Sequence, residues 1–260
     1  MLREEFAGVR GIYFDLDDTL CGYWDASKRA LRQTFAELVP AEVGAEAMVG
    51  HWANVYRTFA KEIKTPKWYP GYLVSGEPTR TEQMRLALEA AGFPDPALAR
   101  RIGDRYRELR NAYLVRFPET TAVLDALVAS YPIGLITNGP ADIQREEIAT
   151  LGLEPYVQHV FIEGEMGEGK PKPGVFDRAA RAMGLGPSEL LMVGNSYGHD
   201  IVPAIAAGWR TAWIRRPSDV PPSAQPDARP EERQSDGPIP TVEITDLRQL
   251  FASDFFPSTH

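Results

Sequence analysis

Asp15-Leu-Asp-Asp-Thr-Leu20 stands directly behind a short apolar run, Gly11-Ile-Tyr-Phe14. Carboxylates at i and i+2, just past a strand end, both reach one centre once the chain leaves the pleat. In open parallel sheets that is where ligands bind. An isolated Asp-x-Asp equally caps a turn or a helix. Three more stretches carry complementary groups. Ile136-Thr137-Asn138-Gly139 puts a hydroxyl and successive amides ahead of Pro140 and a helix, an arrangement that suits an anion, although Thr137 alone also reads as an N-cap. Gly169-Lys-Pro-Lys-Pro173 places Lys170 before a Pro-initiated helix, with Lys172 read as solvated. Gly194-Asn195-Ser-Tyr-Gly-His199-Asp200 follows another apolar run and ends on an acid at a helix start, where Asp200 also reads as a cap.

The elements that must hold these groups alternate in kind. Apolar runs at 11–14, 133–136, 160–162, 190–193 and 211–214 read as strands, with another at 241–244 before a last helix at 246–251. Between them, amphipathic stretches end at Gly92, Gly152, Gly184 and Gly208, where glycine takes the left-handed position that closes a helix. Short unalternated strands separated by helices predict an α/β fold, a Rossmann-like parallel sheet with helices on both faces. From 21 to 116 no strand signal appears. Helical spacing at 25–38, 82–91 and 97–114, with a capping box expected at Thr79-x-x-Glu82, predicts an all-helical insert. The expected division is therefore a core of 1–20 and 117–260 and a helical cap of 21–116. The Pro- and Ser-rich stretch 216–240 reads as a surface loop or linker.

Composition excludes several classes. At 260 residues, 43% hydrophobic and 25% charged, the chain can bury a full core, and its single cysteine, Cys21, rules out an internal disulfide framework. A net charge of −8 gives no basis for nucleic-acid binding, though local cations or a metal still admit an anionic small molecule. No apolar stretch approaches a membrane span, and the charged start, Met1–Phe6, has no apolar run behind it. A cytoplasmic location is the expectation.

Four motifs in this order, each at a strand end, resemble the haloacid dehalogenase-like superfamily: Asp15-x-Asp17-x-Thr19, Thr137, Lys170-Pro171 and Gly194–Asp200. The resemblance covers nearly the whole chain, and the insert is similar to that superfamily's C1-type helical cap. It implies a Mg²⁺-dependent phosphatase acting on a small phosphorylated metabolite. Asp15 would be the nucleophile that forms an aspartyl-phosphate, and Asp17 the acid for the leaving alcohol and base for water. Thr137, Asn138 and Lys170 would hold the phosphate. Asp15, Asp17 through its carbonyl, Asn195 and Asp200 would hold Mg²⁺. Lys170 would also screen Asp15 from the neighbouring acids.

One position departs from the pattern. The usual fourth motif begins Gly-Asp, whereas here it is Gly194-Asn195, which keeps an oxygen donor and loses a charge. A ligand-binding protein without turnover is the alternative this opens, with phosphomutase and dehalogenase readings behind it. Dehalogenases of this kind attack carbon and lack the second acid that Asp17 provides. Cleaving a phosphonate would take a cap lysine, and Lys28, Lys61, Lys64 and Lys67 carry no motif that singles one out. Tyr23 and Trp24 are expected to line the pocket, while the other cap aromatics read as helical-bundle core. Arg57, Arg80 and Arg85 are candidates for a second anionic group or for wet surface. His199 reads as exposed.

Overall fold

The computed structural model describes residues 1–223, 230–233, 235–253 and 255. A 3₁₀ turn at Glu4–Phe6 leads into β1 (Gly11–Phe14). Helices follow in succession: α1 (Tyr23–Leu38), α2 (Ala45–Ile63), α3 (Tyr69–Val74), α4 (Glu77–Ala90) and α5 (Pro96–Tyr113). The chain continues through α6 (Thr120–Val128), β2 (Ile133–Thr137), α7 (Ala141–Thr150), β3 (His159–Ile162), α8 (Glu163–Met166), α9 (Pro173–Met183) and β4 (Leu190–Gly194). A π-helical turn at Tyr197–Ile201 precedes α10 (Val202–Ala206), β5 (Arg210–Ile214), β6 (Val242–Ile244) and a 3₁₀ turn at Leu247–Leu250.

The strands form one sheet in the order β3-β2-β1-β4-β5-β6, parallel at every pairing. Alternation along each strand feeds two separate cores. Ile12, Phe14, Leu135, Leu191 and Val193 pack with Val123, Leu124 and Leu127 of α6 and Ile148 of α7. Tyr13, Ile136, Leu190 and Met192 face the other way, onto Val175, Phe176 and Ala179 of α9 and Ala204 of α10. A sheet buried on both faces is what unalternated apolar strands require. The fold is thus α/β, Rossmann-like, with helices on both faces.

Helices α1–α5 lie between β1 and β2 in sequence, and α1, α2, α4 and α5 share a core of their own, including Leu31, Phe35, Met48, Trp52, Met84, Leu88 and Ile102. Local structure corrects four expectations. Helix α4 starts at Glu77 behind Gly76, so Thr79 is inside the helix, where its hydroxyl bonds the Gly76 carbonyl at 3.2 Å, and no capping box opens it. Helices α2 and α3 add to the three helices read from spacing, because α2 buries only Met48, Trp52, Ala53 and Phe59 over 19 residues and α3 buries none. The stretch 246–251 forms a 3₁₀ turn capped by Asp246 rather than an α-helix. Finally, 216–240 is more than a surface loop: Arg216 and Ser223 are buried, and the segment folds back on the fourth motif. Gly92, Gly152, Gly184 and Gly208 all take positive φ behind their helices, as the sequence predicts. Among the described residues, no helix is long and apolar enough to cross a membrane.

Candidate active site

Strand order decides where the reactive groups meet. Successive connections run outward from β1 to β2 and β3 on one side and through β4, β5 and β6 on the other, so the crevice beyond the β1 and β4 ends is the topological switch point. Asp15 follows β1, Thr137 ends β2 and Gly194 ends β4, while Lys170 arrives on the loop between α8 and α9. All seven residues singled out for the site (Asp15, Asp17, Thr137, Asn138, Lys170, Asn195 and Asp200) line one cavity of about 400 Å³.

Lys170 ties two motifs together. Its Nζ lies 2.6 Å from Asp15 Oδ1 and 2.6 Å from Asp200 Oδ1, with all three groups buried. Burial alone would lower the lysine pKa, but Asp15 and Asp200 outweigh it and hold the ammonium charged. Asp200 itself is pushed up to about 7, by burial against the pull of Lys170. It reaches Lys170 because the chain folds tightly over Gly194, where a Cβ would stand 2.4 Å from Asp200 Oδ2. The Ser196 amide donates to that same oxygen at 3.0 Å, and the Ser196 hydroxyl caps the π-helical turn at the His199 amide. Asp200 therefore anchors lysine and turn together, and His199 is exposed, as predicted.

On the β1 side, the Thr19 hydroxyl lies 3.0 Å from Asp15 Oδ2 and 3.2 Å from Asn195 Oδ1, and accepts from the Asn195 amide N–H at 3.1 Å. Behind Thr19, Arg216 donates to its carbonyl at 3.2 Å and pairs with Glu119 at 2.7 Å in a buried bridge. Asp18, a non-glycine residue at φ 56°, turns the chain after Asp17, and the Trp24 amide N–H donates to its carboxylate at 3.3 Å. Burial and nearby Asp219 push Asp18 up to about 8.

Asp17 has the most acidic surroundings. Gln144 Nε2 donates to its Oδ2 at 3.2 Å and to Glu147 Oε2 at 2.8 Å, while Asp17 Oδ1 is buried without a partner. Burial, then Glu147, Asp15 and Asp18, holds Asp17 well above the usual carboxylate range, in the direction of the protonated acid. Glu147 is in turn bridged by Arg110 of α5 at 3.1 Å, both side chains being buried. The Thr137 hydroxyl donates to Gln144 Oε1, so Gln144 links the β2 end to Asp17. Thr137 is not a helix cap; Pro140 precedes α7.

Asn138 differs from expectation in what its side chain does. Its Nδ2 donates to the Lys170 carbonyl and its Oδ1 accepts from the Lys170 N–H, both at 2.8 Å, so the amide braces the lysine loop. A Cβ at Gly169 would stand 2.5 Å from that Oδ1, which explains the glycine. Lys172 is exposed.

The opposite wall comes from α1 and α2. Tyr23, Trp24 and Tyr56 line the cavity with Pro140 and Ile143, and Tyr23 meets Trp24 edge-on at 4.9 Å between centroids. Tyr23 and Trp24 are where the sequence placed them. Tyr56 was grouped with the core aromatics, and it does pack on Trp52 at 5.0 Å while its other side meets the cavity. No arginine lines the cavity, and Lys170 is its one lysine among the described residues. Arg85 pairs with Glu82 and Glu89, Arg57 bonds the Ser223 carbonyl, and Arg80 is buried away from the site. Of the cap lysines, Lys64 bonds buried Glu163, whose other oxygen accepts from the Gly139 amide at 3.1 Å.

Gln144, Glu147 and Asp219 went unread in the sequence. Gln144 sits seven residues beyond Thr137, one turn into the following helix, and that spacing is its only signal. Among the described residues no three His, Cys, Asp or Glu side chains form a ready metal cage. What lines the cavity is a mixed set of hard oxygens from Asp15, Asp17, Asp200 and the Asn195 side chain. Among the described residues four aspartates, Asp15, Asp17, Asp18 and Asp200, line the cavity with a single lysine, and a small hard cation fits those oxygen donors.

Comparison with known proteins gives the same picture. The family model for haloacid dehalogenase-like hydrolases matches residues 9–208. A phosphoserine phosphatase of Thermus thermophilus is 31% identical over 259 residues, covering 94% of this chain and 98% of that protein. A glyceraldehyde 3-phosphate phosphatase of Methanopyrus kandleri is 28% identical, covering 93% and 95%. Among solved structures, a magnesium-bound HAD-hydrolase of Bacillus subtilis superposes with a TM-score of 0.66 at 20% identity, covering 93% and 96%. A 2-haloacid dehalogenase of Pseudomonas syringae pv. Tomato gives 0.60 at 27% identity, covering 93% and 96%. By motif order, topology and matched length, the chain belongs to the haloacid dehalogenase-like hydrolases.

Proposed function

We propose that this hydrolase is a phosphatase that cleaves a small phosphate monoester through an aspartyl-phosphate on Asp15. The observation that carries this reading is the second acid: Asp17 shares the cavity with Asp15, and burial and the neighbouring carboxylates raise its pKa in the direction of the proton-carrying form. An acid in that state serves an alkoxide leaving group, which a halide does not need. Named phosphatases among the relatives support the same choice over dehalogenation.

In the first step an Asp15 oxygen attacks phosphorus, the bond to the leaving oxygen breaks, and Asp17 gives its proton to that oxygen. In the second, Asp17 takes a proton from water, the water oxygen attacks phosphorus, and the Asp15–phosphorus link opens to restore both carboxyl groups. Lys170 holds Asp15 by an ion pair and offers its charge to phosphate oxygens, and the Thr137 hydroxyl and the amides beyond β2 bind the phosphate. Mg²⁺ would be held by Asp15, the Asp17 carbonyl, Asn195 and Asp200. When bound, it supplies positive charge against the phosphate oxygens.

The ring-lined wall supports an uncharged leaving group with an apolar face. Among the described residues a second phosphate or a carboxylate would find no arginine there, and Lys170 is already committed. The test is phosphate release from p-nitrophenyl phosphate and from a panel of neutral and anionic monoesters, with Mg²⁺, with EDTA, and with Asp15→Asn. Release that needs both metal and Asp15, and favours neutral esters, supports the proposal. Folded protein that releases no phosphate from any of them refutes it.

A further inference from the structure

The asparagine in the fourth motif is wired to a carboxylate that the sequence pattern does not predict. Asn195 Nδ2 donates to Asp219 Oδ2 at 2.8 Å, from the segment after β5 that folds back over the site. On its other side the Asn195 amide oxygen faces the Thr19 hydroxyl, which also touches Asp15. An ionised carboxylate only accepts hydrogen bonds. Asp219 therefore forces the NH₂ end of the amide outward and turns the oxygen toward Asp15; the reverse orientation would set two oxygens against each other. Asn195 lines the cavity and Asp219 does not, so Asp219 touches the site through its bond to Asn195 and, by charge alone, through Asp18.

We infer that Asp219 is a positioning residue for a divalent cation: it fixes the Asn195 oxygen toward the cation site and places behind that amide the negative charge the fourth motif lacks. This rests on the cation-dependent reading of the site given above. The logic is that of a carboxylate behind a metal-bound imidazole, where the outer partner sets the orientation of the inner one and raises its donor strength. The segment that carries Asp219 is held from both sides. Lys28 of α1 donates to the Ser218 carbonyl at 3.5 Å, and Arg57 of α2 to that of Ser223. Asp15, Asp18, Glu231 and Lys28 are charged groups that act on Asp219.

The experiment counts bound cation directly, by titrating metal-free protein with Mn²⁺ and following free Mn²⁺ by electron paramagnetic resonance. Asp219→Ala is expected to weaken binding by about tenfold, the low end of losses seen when outer partners are removed. Asp219→Asn, whose own amide oxygen still accepts from Asn195 Nδ2, falls between Asp219→Ala and the unmodified protein. Adding Asn195→Asp to Asp219→Ala restores affinity, because a carboxylate presents an oxygen in either orientation. Unchanged Mn²⁺ affinity in Asp219→Ala overturns the assignment. So does a loss that Asn195→Asp fails to repair, which would mean Asp219 only packs its loop. If the unmodified protein binds no Mn²⁺, the cation-dependent reading fails instead, a result separable from the first two.

Discussion

On the core side of the cavity, the polar groups hold one another. Lys170 spans Asp15 and Asp200, Thr19 spans Asp15 and Asn195, Gln144 joins Thr137 to Asp17, and Asn138 braces the Lys170 backbone. The α1–α2 side is built of ring faces, with Tyr23 and Tyr56 each meeting Trp24 edge-on. The contrast follows from what each wall must do. Groups that exchange bonds and protons work only at fixed distances and charge states, so each needs partners. A wall that selects a leaving group by shape and apolar contact can change one ring at a time without disturbing the chemistry. On the proposed reading, reaction type belongs to the strand ends and substrate choice to the ring-lined wall of α1 and α2.

Substitutions should separate the two walls, most sharply at the nucleophile. Asp15→Asn is expected to lower turnover by at least about 10⁴-fold, the scale of losing a group that carries a covalent step, with the circular dichroism spectrum unchanged. Asp17→Asn should cost about 10²–10⁴-fold on alkyl phosphates and clearly less on p-nitrophenyl phosphate, whose leaving group needs no proton. Equal losses on both esters would remove Asp17 from the acid role. Lys170→Ala leaves Asp15 and Asp200 buried without their cation, and urea unfolding should show about 3–5 kcal/mol of lost stability. On the α1–α2 wall, Trp24→Ala or Tyr56→Ala should raise KM by up to about tenfold while kcat holds, because binding there is the same in ground and transition states. A fall in kcat alone would place those rings in the chemistry and break the contrast.

The gentlest test is pH. Asp18, Asp200 and Asp219 titrate near 8, 7 and 6 in the folded chain against an ordinary 3.8, so between those limits the native state binds more protons than the unfolded one. Their contribution to stability is full below about pH 4 and is lost as pH rises toward 8. Thermal melts of metal-free protein should give a lower Tm at pH 8 than at pH 5, and Mg²⁺ should recover part of the difference at pH 8.

How much of this was legible in the sequence follows the same division. Asp15, Thr137 and Asn195 could be placed because each sits at the end of an apolar run, and a parallel sheet turns such ends into one crevice. The C-terminal glycines were legible because positive φ restricts residue type. Tyr56 was not, since a ring at helical spacing serves a bundle core and a cavity wall alike, and here it serves both. Asp219 was hidden more deeply. It lies 24 positions beyond Asn195 in a Pro- and Ser-rich stretch without periodicity, and only the fold-back of that stretch brings the two together. Asn138 was read as a phosphate ligand from its place in the motif, yet its side chain is occupied by Lys170, a pairing no spacing rule encodes.

The central claim is that phosphorus passes through Asp15. The direct measurement is to mix Asp17→Asn protein with p-nitrophenyl phosphate and Mg²⁺, quench in acid within the first turnover, and map the modified peptide by mass spectrometry. With water activation impaired, the account predicts one added phosphoryl group on the peptide carrying Asp15, removable by hydroxylamine. Release of p-nitrophenol with no phosphoryl group on that peptide, or with the group on another residue, would contradict it.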